Sequence, residues 1–133
     1  YARTMYRYAQ KELREWNPDL IVPVPVHRSK ERMRGFNQAA YLAEKLSCYT
    51  GIMTDTNLVR KVIKTKSQKK LNALQRRKNL EKAFAVSEDV RGKDILVIDD
   101  VYTTGSTIDA MASCLKKKGA ENVYFLTVCI GRT

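Results

Sequence analysis

Residues 95–107 read ILVIDDVYTTGST: an apolar run, two adjacent carboxylates, then a short loop of hydroxyls around one glycine. Ile95, Leu96, Val97 and Ile98 show no polar alternation, the pattern of a parallel strand buried on both faces. Asp99 and Asp100 then fall at the C-terminal edge of that strand. Ile108, Met111, Ala112 and Leu115 recur at helical spacing, so Thr103, Thr104, Gly105, Ser106 and Thr107 open a helix. The backbone N–H groups of a first helical turn lack partners and lie at the positive end of the helix dipole, which suits a phosphate. Gly105 lets that backbone approach closely. A carboxylate would repel phosphate but accepts hydrogen bonds from the vicinal hydroxyls of a ribose. Together these residues can hold a ribose 5-phosphate at both ends.

Three other uses of the acidic pair fit less well. In a phospho-acceptor receiver domain the paired acids end the first strand, whereas only 33 residues follow Asp100. A Walker-type NTPase needs GxxxxGK[ST], which occurs nowhere in the chain. Helix capping uses one acid or hydroxyl, not DD followed by TTGST.

The elements that position the motif are legible around it. Met5, Tyr6, Ala9, Leu13 and Trp16 predict a helix that Asn17-Pro18-Asp19 stops before the run LIVPVPV. Pro23 and Pro25 cannot both sit inside a central ladder, so that strand ends near Val22 to Val24 and hands over to the loop PVHRSKERMRGFNQ. Ala39, Ala40, Leu42, Ala43 and Leu46 form the next helix, ended by Gly51, and NLVRKVI follows as a short strand. Leu71, Leu74 and Leu80 predict a short helix before FAV, and Lys64 to Lys70, with little to bury, is expected to be mobile. Gly119 ends the last helix, and VYFLTVCI is a further buried strand. Alternating helices and apolar strands predict an α/β domain, a mainly parallel sheet flanked by helices and Rossmann-like in plan, with ligands outside the carboxyl ends of the strands. The loops after Val26 and after Ile98 both fall on that side.

The chain has 133 residues, enough for one domain with a proper core. No uncharged run approaches the roughly 18 residues that span a bilayer. Cys48, Cys114 and Cys129 have no CxxC spacing and read as buried thiols. With no leader-like start, they predict a cytoplasmic location. The formal charge is +11, and between Arg60 and Lys82 ten bases face one acid, Glu81. Such a block attracts polyanions, either a pyrophosphate or nucleic acid. It contains no aromatic residue, which weakens a base-stacking role. His27, the single histidine, reads as a loop residue that hydrogen-bonds backbone, not as a general base. Arg34, Asn37 and Gln38 read as a polar cluster that positions the loop before the helix.

VIDDVYTTGST resembles the phosphoribosyl pyrophosphate (PRPP) motif of the type I phosphoribosyltransferases. More narrowly, VPVPVHRSKERMRGFNQA, then Gln68, Leu71, Arg76, Asn79 and Phe84, then the PRPP motif, in that order, resemble the ComF/GntX competence-protein family over roughly Leu20 to Ile130. That resemblance implies a PRPP site. Asp99 and Asp100 would hold the ribose 2- and 3-hydroxyls, with Val101, Thr103, Thr104, Gly105, Ser106 and Thr107 around the 5-phosphate. Pro25, Val26, His27 and Arg28 would form the pyrophosphate loop, with Arg28 alongside the acids as a catalytic candidate. Lys64, Lys66, Gln68 and Arg76 would belong to a hood that closes over PRPP. Magnesium would come with the PRPP and not on protein ligands.

Family members usually carry a cysteine-rich zinc-binding segment ahead of this domain, and none occurs here. The start at Tyr1 then implies a single phosphoribosyltransferase domain, residues 1–133, either cut from a longer protein or a naturally short homologue. Thr103 stands where purine-salvage members carry an acid, which implies an acceptor other than hypoxanthine or guanine. KTKSQ lacks the proline that often precedes the hood glutamine. Two classes of function follow from the resemblance. One is an enzyme that moves phosphoribose from PRPP to an unidentified acceptor. The other is a catalytically silent PRPP-binding module whose segment 60–82 meets single-stranded DNA or competence-machinery proteins. A homodimer is also among the expected partners.

Overall fold

The computed structural model of the protein describes residues 2–26, 37–62, 72–102 and 105–130. In chain order the elements are α1 (Ala2–Trp16), β1 (Leu20–Pro23), α2 (Gln38–Thr50), β2 (Met53–Thr54), β3 (Val59–Lys61), α3 (Ala73–Ala83), β4 (Phe84–Val86), β5 (Asp94–Tyr102), α4 (Gly105–Lys117) and β6 (Asn122–Ile130). The main sheet has the order β2-β1-β5-β6, and every pairing in it is parallel. β3 and β4 form a separate antiparallel ladder.

Strand alternation divides the core in two. Leu20, Val22, Ile95 and Val97 pack on one face with Ala110, Met111 and Leu115 of α4, joined by Leu80 of α3 and Phe84 of β4. Ile21, Leu96 and Ile98 pack on the other with Met5, Ala9 and Leu13 of α1 and Leu42, Ala43 and Leu46 of α2. Because successive side chains of β1 and β5 must both be buried, these strands read as unbroken apolar runs. Stacked aromatics fasten α1 at two points: Trp16 lies 4.8 Å from Tyr124 of β6, and Tyr6 lies 5.6 Å from Tyr49 of α2, centroid to centroid.

Four sequence expectations need correction. β5 does not stop at Ile98 but runs on through Asp99 and Asp100 to Tyr102, because β6 keeps pairing with it as far as Tyr102↔Ile130 after β1 has left. VYFLTVCI is an edge strand, and Val123 to Thr127 are half-buried, having a neighbour on one side alone. Leu74 is 54% exposed and adds nothing to the core under α3. Cys48 is exposed, since the buried face of α2 runs through Ala39, Leu42, Ala43 and Leu46, and position 48 turns away from it; Cys114 is only partly buried. The expected mobility of Lys64 to Lys70 lies outside the described residues.

α4 ends in a Schellman arrangement: the Ala120 N–H donates to Leu115 O (3.1 Å) and the Gly119 N–H to Lys116 O (3.0 Å), with Gly119 at φ 101°. A Cβ on Gly119 would sit 2.8 Å from the Arg91 Cα, whereas one on Gly92 (φ 75°) would meet nothing within 4 Å. Both alanine variants carry the left-handed backbone penalty of about 1–2 kcal/mol, but only Gly119→Ala adds a backbone clash. Gly119→Ala is therefore expected to lower unfolding stability by clearly more than Gly92→Ala, read as the difference in urea midpoints.

Candidate functional site

β1 and β5 leave the sheet at the same edge. Their register ends at Pro23↔Ile98, and the Val24 N–H donates to Ile98 O at 2.8 Å. In a parallel ladder alternate residues turn their amides to opposite neighbours. Val24 thus faces β5, while Ile21 faces β2, accepting from the Asp55 N–H at 3.1 Å and from the Thr54 hydroxyl at 2.8 Å. Pro23 faces the β2 side as well, at a height where β2 has already ended, so its missing N–H leaves no ladder bond unmade. The chain can then turn out into Pro25 and Val26, both half-buried.

Asn37 ties this outgoing loop to α2. Its side-chain oxygen accepts from the Ala40 N–H (3.2 Å) as the helix N-cap, and its Nδ2 donates to Val24 O (3.4 Å). Pro25, Val26, Asn37 and Ala40 form one wall of a cleft of about 560 Å³, whose other wall is Thr56, Asn57, Val59, Arg60, Lys61 and Val62. An Asx turn, with the Asn57 N–H donating to Asp55 Oδ1 at 2.9 Å, shapes that second wall. Arg60 and Lys61 belong to the basic block of the sequence. Thr56 and Asn57 were missed there, although the polar run TDTN between two short strands marks a loop that could have flagged them.

The strand next to β1 supplies the rest. β5 ends at Tyr102 and α4 begins at Gly105, so two residues connect them and the N-terminus of α4 stands at the carboxyl edge of the sheet. The N–H groups of Gly105 to Ile108 have no intrahelical acceptor, and no acid stands in that first turn. Half-buried Thr107 lies in the same turn, and half-buried Asp99 is paired in register with Thr127. The fold therefore brings Pro25, Val26, Asp99, Thr107 and the backbone of Asp100, Val101, Gly105 and Ser106 to one edge. Arg76 belongs to α3 and, like Asp100, Val101 and Ser106, is described by its backbone alone. His27, Arg28, Arg34, Lys64, Lys66, Gln68, Leu71, Thr103 and Thr104 lie outside the described residues. The basic block divides: Arg60 and Lys61 line the cleft, while Lys78 and Lys82 line a different groove.

A parallel sheet with a hydroxyl-rich strand-to-helix turn beside a second loop on the same edge defines a class. The chain belongs to the phosphoribosyl transferase domain family, whose sequence profile matches residues 2–133. Within that family it is similar to competence and DNA-utilization proteins. It is 37% identical over 112 residues to DNA utilization protein YhgH of Salmonella typhi, covering 84% of this chain and 49% of that protein. Over 109 residues it is 36% identical to Competence protein F of Haemophilus influenzae, covering 80% and 48%. The chain thus spans about half the length of the curated relatives it matches. Its fold is shared by the purine phosphoribosyltransferase from Pyrococcus horikoshii, with a TM-score of 0.61, 20% identity, and coverage of 96% of this chain and 70% of that one. No helix among the described residues is long and apolar enough to cross a membrane.

The double role of Asn37 can be separated by substitution. Asn37→Ala removes the cap and the bond to Val24, and is expected to cost about 1 kcal/mol in urea unfolding. Asn37→Asp keeps a capping acceptor but loses the donor to Val24 O, so most of the stability should return while the Val24 amide, bonded to Ile98 O, exchanges faster with solvent than in the parent protein.

Proposed function

We propose that the protein binds PRPP across the shared carboxyl edge of β1 and β5 and transfers its phosphoribosyl group to an acceptor, with release of pyrophosphate. The observation that supports this most is the β1–β5 register, which sets the Pro25 loop beside Asp99 and the open N-terminus of α4. Asp99 and Asp100 would accept hydrogen bonds from the ribose 2- and 3-hydroxyls. The backbone N–H groups of Thr103 to Thr107, with their hydroxyls, would hold the 5-phosphate at the helix terminus. Pro25 to Arg28 would bind the pyrophosphate, the Arg28 fork matching two of its oxygens.

In the transfer, the bond from ribose C1 to pyrophosphate oxygen breaks and its electron pair leaves with the pyrophosphate. The acceptor's nucleophilic atom forms the new bond to C1 and gives up its proton. Positive charge builds on the ribose ring as negative charge builds on the leaving group. Arg60 and Lys61 on the cleft wall, with Lys64, Lys66, Gln68 and Arg76, would stabilise the departing pyrophosphate and exclude water. Magnesium binds readily through substrate phosphates while keeping its waters. The pyrophosphate oxygens of PRPP would carry the ion, which neutralises charge on the leaving group. Thr103 in the position of an acid argues for an acceptor other than a hypoxanthine-type purine.

The names of the relatives, competence and DNA-utilization proteins, favour a second reading. In it the PRPP pocket is retained without turnover and the module serves DNA handling through its basic residues. Incubation with PRPP, magnesium and a nucleobase panel, with pyrophosphate as readout, separates the two. Turnover supports the enzyme, and tight PRPP binding without turnover supports the module. For either reading Asp100→Ala is expected to weaken PRPP binding by about 1.5–3 kcal/mol, as befits hydrogen bonds to a charged group, and Gly105→Val to weaken both PRPP and ribose 5-phosphate. Calorimetry that finds unchanged PRPP affinity in folded Asp100→Ala and Gly105→Val proteins would overturn the site.

A further inference from the structure

A second groove lies between α3 and α4. It has a volume of about 620 Å³ and is lined by Lys78, Glu81, Lys82, Phe84, Ala85, Val86, Cys114, Lys117 and Lys118. The volume is in the range of small-molecule sites. Four ammonium groups face one carboxylate there. The floor is apolar: Phe84 is buried, Val86 half-buried, and Cys114 presents a partly buried thiol that donates to Glu81 O at 3.5 Å. The groove is also remote from the carboxyl edge. Lys117 stands at the far end of α4 from Gly105, about 18 Å away at 1.5 Å per residue.

Lysines at helix C-termini are common because they complement the dipole, so each must be accounted for. Lys116, just outside the groove, donates to Glu121 O at 3.1 Å, the capping use that rule predicts. Lys117 pairs with Glu81 at 3.3 Å across the two helices, and its side chain stays 70% exposed. Lys78 lies one turn before Lys82, away from the last turn of α3, so the dipole gives no reason for it. Among the described residues no acid pairs with Lys78, Lys82 or Lys118. The groove thus carries a surplus of positive charge that a bound anion would match.

We propose that this groove is a second ligand site, separate from the PRPP edge, that takes a nucleoside polyphosphate. The phosphates would lie among Lys78, Lys82 and Lys118, where the surplus of cations calls for at least a dianion. The flat base would cover Phe84, Val86 and the Cys114 thiol. The site does not depend on PRPP chemistry, and its ligand would bridge α3 and α4.

Cys114 supplies a local reporter. Burial raises its pKa first, the Glu81 carboxylate raises it further, and Lys117 partly offsets both. It should therefore react with iodoacetamide more slowly than exposed Cys48 at neutral pH and gain rate as pH rises. The experiment measures labelling of each cysteine by mass spectrometry, with ATP in EDTA as the probe. At ten times its dissociation constant, ATP is expected to slow Cys114 labelling about tenfold by mass action, with Cys48 unaffected. The protection should vanish in a Lys78→Glu/Lys118→Glu variant, whose exposed substitutions leave the fold intact by circular dichroism, and persist in Gly105→Val. Inorganic tripolyphosphate, which lacks the base, should protect less. Unchanged Cys114 labelling at saturating ATP, protection that survives charge reversal, protection lost in Gly105→Val, or equal protection by tripolyphosphate would each overturn the proposal.

Discussion

The parallel ladder between β1 and β5, Leu20↔Ile95 through Pro23↔Ile98, is the constraint on which the rest of the molecule depends. Every side chain along it except that of Pro23 belongs to one of the two apolar clusters, so it holds the α1–α2 layer and the α3–α4 layer to a common sheet. A one-residue slip would exchange the faces of Ile95, Leu96, Val97 and Ile98 at once. The same ladder decides which loops become neighbours. Because both strands point the same way, their exits share an edge, and the N-terminus of α4 and a polar loop meet there without any long-range contact of their own.

That ladder is also why so much was readable. Ile95 to Ile98 and Leu20 to Pro23 are fully buried strand segments whose composition is dictated by two apolar faces, and Gly51 and Gly119 mark helix ends with positive φ. The existence of these strands and the ends of these two helices followed from residue types alone. What escaped was set by partners distant in sequence. β2 is two residues long and owes its place to Leu20 and Ile21. β3 reads as a strand but pairs antiparallel with β4, which nothing in NLVRKVI reveals. β5 carries on through two acids because β6 offers it a ladder, a fact outside the strand's own sequence. Cys48 and Leu74 match helical or apolar patterns yet point outward, because the width of a buried stripe depends on what lies against it.

Within the candidate site the division is similar. The helix start at the carboxyl edge could be read from TTGST, since it rests on backbone groups and a local turn. For Thr56 and Asn57 the run TDTN marks a loop but not its place in the cleft, because it comes next to Pro25 only through β2 and its Asx turn. Charge behaved in the same way. A block that is continuous in sequence is dispersed in space, with Arg60 and Lys61 beside the Pro25 loop and Lys78 and Lys82 against the end of α4.

At the edge opposite the candidate site the strands begin under a set of polar bonds. The Asp19 N–H donates to Asp94 O and the Asp94 N–H to Asp19 Oδ2, both at 2.8 Å, and the Asn122 side chain donates to Asp94 Oδ1 at 2.9 Å. These bonds join the first residues of β5 and β6 to the residue before β1, so strand alignment is decided at the end away from the candidate site. The loops at the other end are thereby relieved of holding the sheet in register. Residues there can be exchanged without renegotiating the fold.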